Sequence, residues 1–160
     1  MNDILKLISD NPRLTDSQLA VMLGKSEKEV SDEIARLEKD GVIGGYRAVV
    51  DWDKVDDCDK VTAMIELRVT PQRDMGFDGI AEEICSFKEV ESVYLMSGGY
   101  DFNVCVTGRN FQEIALFVAR RIATLDSVQT TTTHFILKRY KDSGIKLSES
   151  EKDERRNYTL

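Results

Sequence analysis

The sequence predicts an α+β protein made of an N-terminal winged helix-turn-helix and a C-terminal ferredoxin-like βαββαβ domain. Three observations lead there. Two short helical patterns, each opened by a capping-box signature, follow one another across a break of about three residues around Lys25. Beyond residue 60, strand and helix periodicities alternate in the order β-α-β-β-α-β. The polar stretch "DWDKVDDCDK" lies between the two patterns. The expected organisation is therefore 1–50 for the helical unit, 51–60 for a linker, 61–140 for the sheet domain and 141–160 for a polar tail.

Ile4, Leu5, Leu7 and Ile8 form a first short helical patch, ended by the turn signal Asn11-Pro12. Thr15-x-x-Gln18 opens a second helix carrying Leu19, Ala20, Met22 and Leu23, closed by Gly24. Ser26-x-x-Glu29 opens a third, with Val30, Ile34 and Leu37 at i, i+4 and i+7 and Gly41 at its end. Val42-Ile43, the pair Gly44-Gly45 and "YRAVVD" read as a two-stranded wing.

In "VTAMIELRVT", Val61, Ala63, Ile65, Leu67 and Val69 alternate onto one face, the pattern of a half-buried strand. Phe77, Ile80, Ala81 and Ile84 return to helical period. "SVYLMS" and "YDFNVCVT" read as strands joined tightly through Gly98-Gly99. Phe111, Ile114, Ala115, Val118, Ala119 and Ile122 mark a second amphipathic helix, and "SVQTTTTHFILKRY" a long β-branched strand. Helices on one sheet face leave the other in need of a partner, because Met64 and Tyr94 lie there; pairing with a second copy covers it. From Lys141 onward, five basic and five acidic side chains with little apolar content read as a solvated tail.

Composition narrows the function classes. A formal net charge of −7 and a pI near 4.8 argue against a protein that coats nucleic acid by bulk charge. Neither half is a basic module, since residues 1–56 hold eight Lys/Arg against twelve Asp/Glu. No apolar run spans a bilayer and the N-terminus lacks a basic leader, so no membrane partner is expected. Cys58, Cys85 and Cys105 are widely spaced and suit free thiols in a reducing cytoplasm, with Cys85 and Cys105 expected in the core. The one histidine, His134, has no cysteine or carboxylate motif beside it, and no phosphate-binding loop or metal-ligand cluster is present. Neither enzyme chemistry, nor a metal, nor a cofactor is expected.

Three stretches carry a resemblance to a known family. "LAVMLGKSEKEVSDEIARLEKDGVIGGYRAVVD", "SGGYDF" and "TTTTHFILKRYKDSG" together resemble the Lrp/AsnC (feast/famine) transcription regulators, over residues 1 to about 145. The resemblance implies homodimers joined through the C-terminal sheets, sometimes built into octamers, and a small effector, usually an amino acid, near the Gly-x-Tyr-Asp hairpin. Carried over, this points to Gly98, Tyr100 and Asp101, with Thr131 and Thr133 added on the last strand. A glycine there admits a ligand close to the backbone, Asp101 offers a carboxylate to an ammonium group, and Tyr100 walls the pocket. Some relatives of this plan act on haem precursors, but the histidine motifs expected of them are absent.

The resemblance makes the third helix the DNA reader, although Lys25 to Asp40 contains six acidic and four basic residues. With Val30, Ile34 and Leu37 inward on a wheel of about 100° per residue, Lys28, Asp32, Ala35 and Lys39 point outward. Arg36 and Ser31 lie on the shoulders, and Glu29 is taken up by capping. Candidate DNA contacts are Arg13, Lys25, Ser26, Lys28, Ser31, Asp32, Arg36, Lys39 and Arg47, with base readout expected from Lys28, Ser31 and either Asp32 or Glu27 accepting from cytosine. Asp32 is expected to pair with Lys28 or Arg36 at i,i±4. Glu33 stands where relatives commonly carry arginine. The expected function is a sequence-specific, effector-responsive DNA-binding regulator. The alternative is a ligand-sensing assembly partner whose DNA binding is weakened or lost.

Overall fold

The structure is a computed structural model that describes residues 3–56, 58–71 and 76–147; all structural statements below concern these. It divides into two compact units, 1–50 and 51–160. The first holds α1 (Asp3–Asp10), α2 (Asp16–Leu23) and α3 (Glu27–Lys39). Ile4, Leu19, Ala20 and Val30 form its buried centre, with Leu7, Ile8, Leu14, Leu23 and Ile34 packed around them. Met22, expected inside, is exposed. Leu19, Ala20 and Leu23 already fill the inward arc of this two-turn helix.

Both capping boxes form as the spacing predicts. Thr15 Oγ1 accepts from the Gln18 amide while Gln18 Oε1 accepts from the Thr15 amide, and Ser26 and Glu29 repeat the exchange. α3 ends at Gly41, whose φ of +71° is reached by glycine without a Cβ clash. The expected two-stranded wing does not form. The amides of Val42 and Ile43 both donate to the Leu37 carbonyl, at 2.9 and 3.1 Å. The two residues that would begin a hairpin therefore close the helix, and residues 44–50 run on without a ladder.

The second unit is a four-stranded antiparallel sheet in the order β2-β3-β1-β4, with helices on one face. Its elements are β1 (Val61–Val69), α4 (Gly76–Cys85), β2 (Val90–Leu95), β3 (Phe102–Gly108), α5 (Phe111–Phe117) and β4 (Val128–Phe135). Ala63, Ile65 and Leu67 of β1 face the helices beside Phe102, Val104 and Val106 of β3, all at 1% exposure or less. Against them pack Ile80 and Ile84 of α4 and Ile114 and Phe117 of α5. α5 passes into one wide turn, Val118–Ile122, in which the Ala123 amide reaches back to the Val118 carbonyl. That extra residue per turn keeps Phe117, Val118 and Ile122 all buried. At Gly108 a Cβ would stand 2.9 Å from Ile114 Cγ1, so the glycine is what lets α5 lie this close to β3.

Two further expectations are corrected here. Residues 141–147, read as the start of a solvated tail, fold into a small hairpin of β5 (Lys141–Asp142) and β6 (Ile145–Lys146). Leu147 is buried behind it, and its carbonyl accepts from Lys54 Nζ at 3.1 Å. The rest of that tail, 148–160, lies outside the described residues. Cys85 is exposed rather than core, because it ends α4 on the side away from Ile80 and Ile84; Cys58 and Cys105 are half-buried.

Candidate functional sites

On the helical unit, the break between α2 and α3 is three residues long, Gly24 to Ser26. The capping box fixes where α3 starts: Ser26 Oγ and the Ser26 amide both donate to Glu29 Oε2, at 2.7 and 2.9 Å. These hydrogen bonds from Ser26, side chain first and then backbone, hold the Glu29 carboxyl below the usual carboxylate range. Replacing Ser26 with alanine is expected to destabilise this unit by about 1 kcal/mol. The sign with pH follows from the depressed carboxyl: Glu29's contribution is complete above its unfolded value, roughly 4.3, and is lost as pH falls through the lower folded value. Thermal melts of wild type and Ser26→Ala from neutral to acid pH should therefore draw closer at the acid end, leaving the pH-independent part in which Ser26 Oγ accepts from the Glu29 amide.

Arg13, Lys25, Ser26, Lys28, Ser31, Asp32, Arg36, Lys39 and Arg47 are all exposed. Ser26 to Lys39 lie on α3 and its cap and Lys25 in the break just before it, whereas Arg13 sits in the turn before α2 and Arg47 in the extended segment after α3. Arg36 does not take Asp32 as its partner. Its Nη2 and Nε reach the two carboxylate oxygens of Glu33 at 2.8 and 3.0 Å, and its Nη1 reaches Asp40 Oδ2 at 3.3 Å. The hydrogen bond to Glu33 and that carboxylate's charge push the guanidinium further up. On the flank, Tyr46 Oη donates to Glu38 Oε1 at 3.0 Å. Reading the wheel alone missed the Glu33–Arg36–Asp40 grouping, although its i,i+3 and i,i+4 spacing was there to be found.

On the sheet unit, Gly98, Tyr100 and Asp101 belong to the loop between β2 and β3. This loop is longer than the tight turn expected, since β2 stops at Leu95 and the ladder closes with the Met96 amide donating to the Asp101 carbonyl. Asp101 leaves strand geometry because the end of β1 claims it. Its amide donates to the Leu67 carbonyl, and its Oδ2 accepts from the Val69 amide, both at 2.8 Å. One carboxylate oxygen is thus engaged with backbone. Tyr100 Oη accepts from Asn103 Nδ2 at 3.4 Å.

Thr131 and Thr133 pair opposite Leu67 and Ile65, so they point to the helix-covered side and are half-buried. They lie on β4, across β1 from the hairpin, about 10 Å away at two strand spacings. The structure brings Gly98, Tyr100 and Asp101 together and keeps the two threonines apart from them.

The open sheet face is more polar than expected. Met64, Tyr94 and Cys105 share it with Glu66, Arg68, Asn103, Thr130, Thr132 and His134, and His134 Nε2 stands 3.4 Å from Glu66 Oε1.

These two units correspond to two known domain types. The Lrp/AsnC ligand binding domain matches residues 62–145, and a winged helix-turn-helix DNA-binding domain matches 2–43. The chain belongs to the Lrp/AsnC family.

Its similarity to YugG, a helix-turn-helix-type transcriptional regulator of Bacillus subtilis, is 49% identity across 96% of this chain and 92% of that protein. The leucine-responsive regulatory protein of Rhizobium meliloti is 28% identical over 88% of each chain. Among solved structures, the leucine response regulatory protein of Mycobacterium tuberculosis shares the fold with a TM-score of 0.72, at 23% identity, covering 91% of this chain and 95% of that one. A Neisseria meningitidis transcriptional regulator solved with L-Met gives 0.67 at 22% identity, covering 87% and 88%. This Lrp/AsnC chain is therefore a transcriptional regulator with a DNA-binding and a ligand-binding domain. Among its described residues no helix is long and apolar enough to cross a membrane.

Proposed function

We propose that this regulator binds promoter DNA sequence-specifically through the N-terminal half of α3 and that an amino acid bound near the β2–β3 loop alters its assembly or its grip on DNA. The observation that carries the DNA reading is the doubly capped α3 with Lys25, Lys28, Ser31 and Lys39 exposed along it. A helix so anchored presents its N-terminal turns to the major groove, and the lysines supply phosphate contacts. The effector class is supported by two relatives, one named leucine-responsive and one solved with L-Met. Gly98, Tyr100 and Asp101 are the contacts we assign from one chain; Thr131 and Thr133 belong to a separate surface of it.

Assembly as a homodimer through the open sheet face, with octamers built from dimers, is supported in this reading by the apolar part of that face, where Tyr94 is exposed and Met64 and Cys105 are half-buried. The protein acts in the cytoplasm without a cofactor. Retardation of the fragment upstream of its own gene, titrated with salt, tests the DNA half. Wild type is expected to bind, and Lys28→Ala/Lys39→Ala to weaken binding at every sequence while reducing the log K–log salt slope by about 0.9 per lost phosphate contact. A thermal-shift screen of the twenty amino acids tests the effector half, since a ligand of the native state must raise the melting temperature. The second reading, a sensing partner with little DNA binding of its own, is favoured by one feature only, the neutralised Arg36. No retardation at low salt would select it.

A further inference from the structure

A shoulder of α3, with its C-cap residue, holds an arginine between two carboxylates about one turn to either side. Glu33 holds Arg36 through two roughly parallel contacts of 2.8 and 3.0 Å, and Asp40 closes the remaining direction at 3.3 Å. A fork-to-fork pair of this kind is the geometry that arginine otherwise offers to a phosphate. Glu33 is only 27% exposed along its side chain, against 57% for Arg36, so the carboxylate is the better anchored of the two. Tyr46 fixes Glu38, on the same turn of the helix, at 3.0 Å.

We propose that Glu33, assisted by Asp40, occupies Arg36 in place of a DNA phosphate and so sets the affinity of the recognition helix. This rests on the DNA-binding reading above and deepens it. A backbone phosphate gains Arg36 only by displacing a carboxylate already in bidentate contact, and the displaced acid then faces the phosphate as a like charge. In the wild type, Arg36 releases no counterion on binding and adds nothing to the salt slope. A weak grip per helix leaves occupancy to be decided by how many helices are held together, which is the quantity an assembly-controlling effector changes.

The experiment measures DNA affinity of the full chain on the fragment upstream of its own gene, at several KCl concentrations, for wild type, Glu33→Gln, Asp40→Asn, Arg36→Gln and Glu33→Gln/Arg36→Gln. Glutamine keeps the size of the side chain while removing its charge. Glu33→Gln is expected to tighten binding roughly 2- to 5-fold per half-site. It should also steepen the log K–log salt slope by up to about 0.9. Asp40→Asn should act in the same direction and less strongly.

Arg36→Gln should change wild-type affinity less than about 2-fold yet abolish the gain from Glu33→Gln, a coupling that general charge removal does not produce. Circular dichroism on each variant checks that the helix persists. Wild-type binding with no gain from Glu33→Gln overturns the proposal and leaves the DNA reading standing. So does a large loss from Arg36→Gln alone, which would show that Arg36 already contacts phosphate. A wild type that fails to bind while Glu33→Gln binds supports the proposal in its strongest form. Failure of every variant overturns both.

Discussion

Phe102→Ala is expected to destabilise the sheet unit by about 3–5 kcal/mol, enough to leave it largely unfolded at 37 °C if its total stability is ordinary. Phe102 is 1% exposed, stands opposite both Leu67 and Leu95 in the sheet, and meets the Phe77 ring edge-on at 6.0 Å. Deleting it removes a large apolar area and leaves a cavity under α4 that the rigid strand pairs on both sides cannot close. It is also the residue after Asp101, so the loss should spread to the loop assigned to the effector. Urea unfolding read by near-ultraviolet dichroism measures the cost; a loss below about 1 kcal/mol would mean that the core is not packed as described.

Asp101→Ala is expected to cost about 1.5–3 kcal/mol, because the Val69 amide loses a charged acceptor. Asp101→Asn retains an oxygen acceptor and should cost much less. The pair separates structure from recognition. If the Asp101 carboxylate binds the ammonium group of an amino acid, the asparagine variant keeps its fold and loses the ligand-induced rise in melting temperature. If the asparagine variant still responds, the charge is not a ligand and Asp101 serves only to close β1 onto the β2–β3 loop.

The local features of this chain were legible in its residues. The order of helices and strands, the capping boxes at Thr15 and Ser26, and the inward face of β1 all follow from contacts within four residues or from strict alternation. Such patterns need no knowledge of the rest of the molecule. The wing misled because Val42 and Ile43 have the composition of a strand, while their amides had already been taken by the end of α3. Likewise Tyr100 and Asp101 continue an alternating run, and only the end of β1, more than thirty residues earlier, draws Asp101 out of it.

By itself the sequence determined the two-part plan, the placement of a capped helix after a three-residue break, and the acid-rich character of that helix. Tertiary structure decided which side chains share a surface. The bulge in the β1–β4 pairing, between Arg68 and Val69, shifts register by one residue. It brings Val128 rather than Gln129 opposite Val69. The unbroken pairing before it, from Met64↔His134 to Arg68↔Thr130, places Thr131 and Thr133 on the helix-covered side and Thr130, Thr132 and His134 on the open one. A shift of one residue exchanges the faces of a whole strand, and no periodicity within a strand records the register of its neighbour. On α3 the spacing offered Arg36 three acids within one turn, Asp32, Glu33 and Asp40, and only the rotamers decide that it takes Glu33 at 2.8 Å and Asp40 at 3.3 Å.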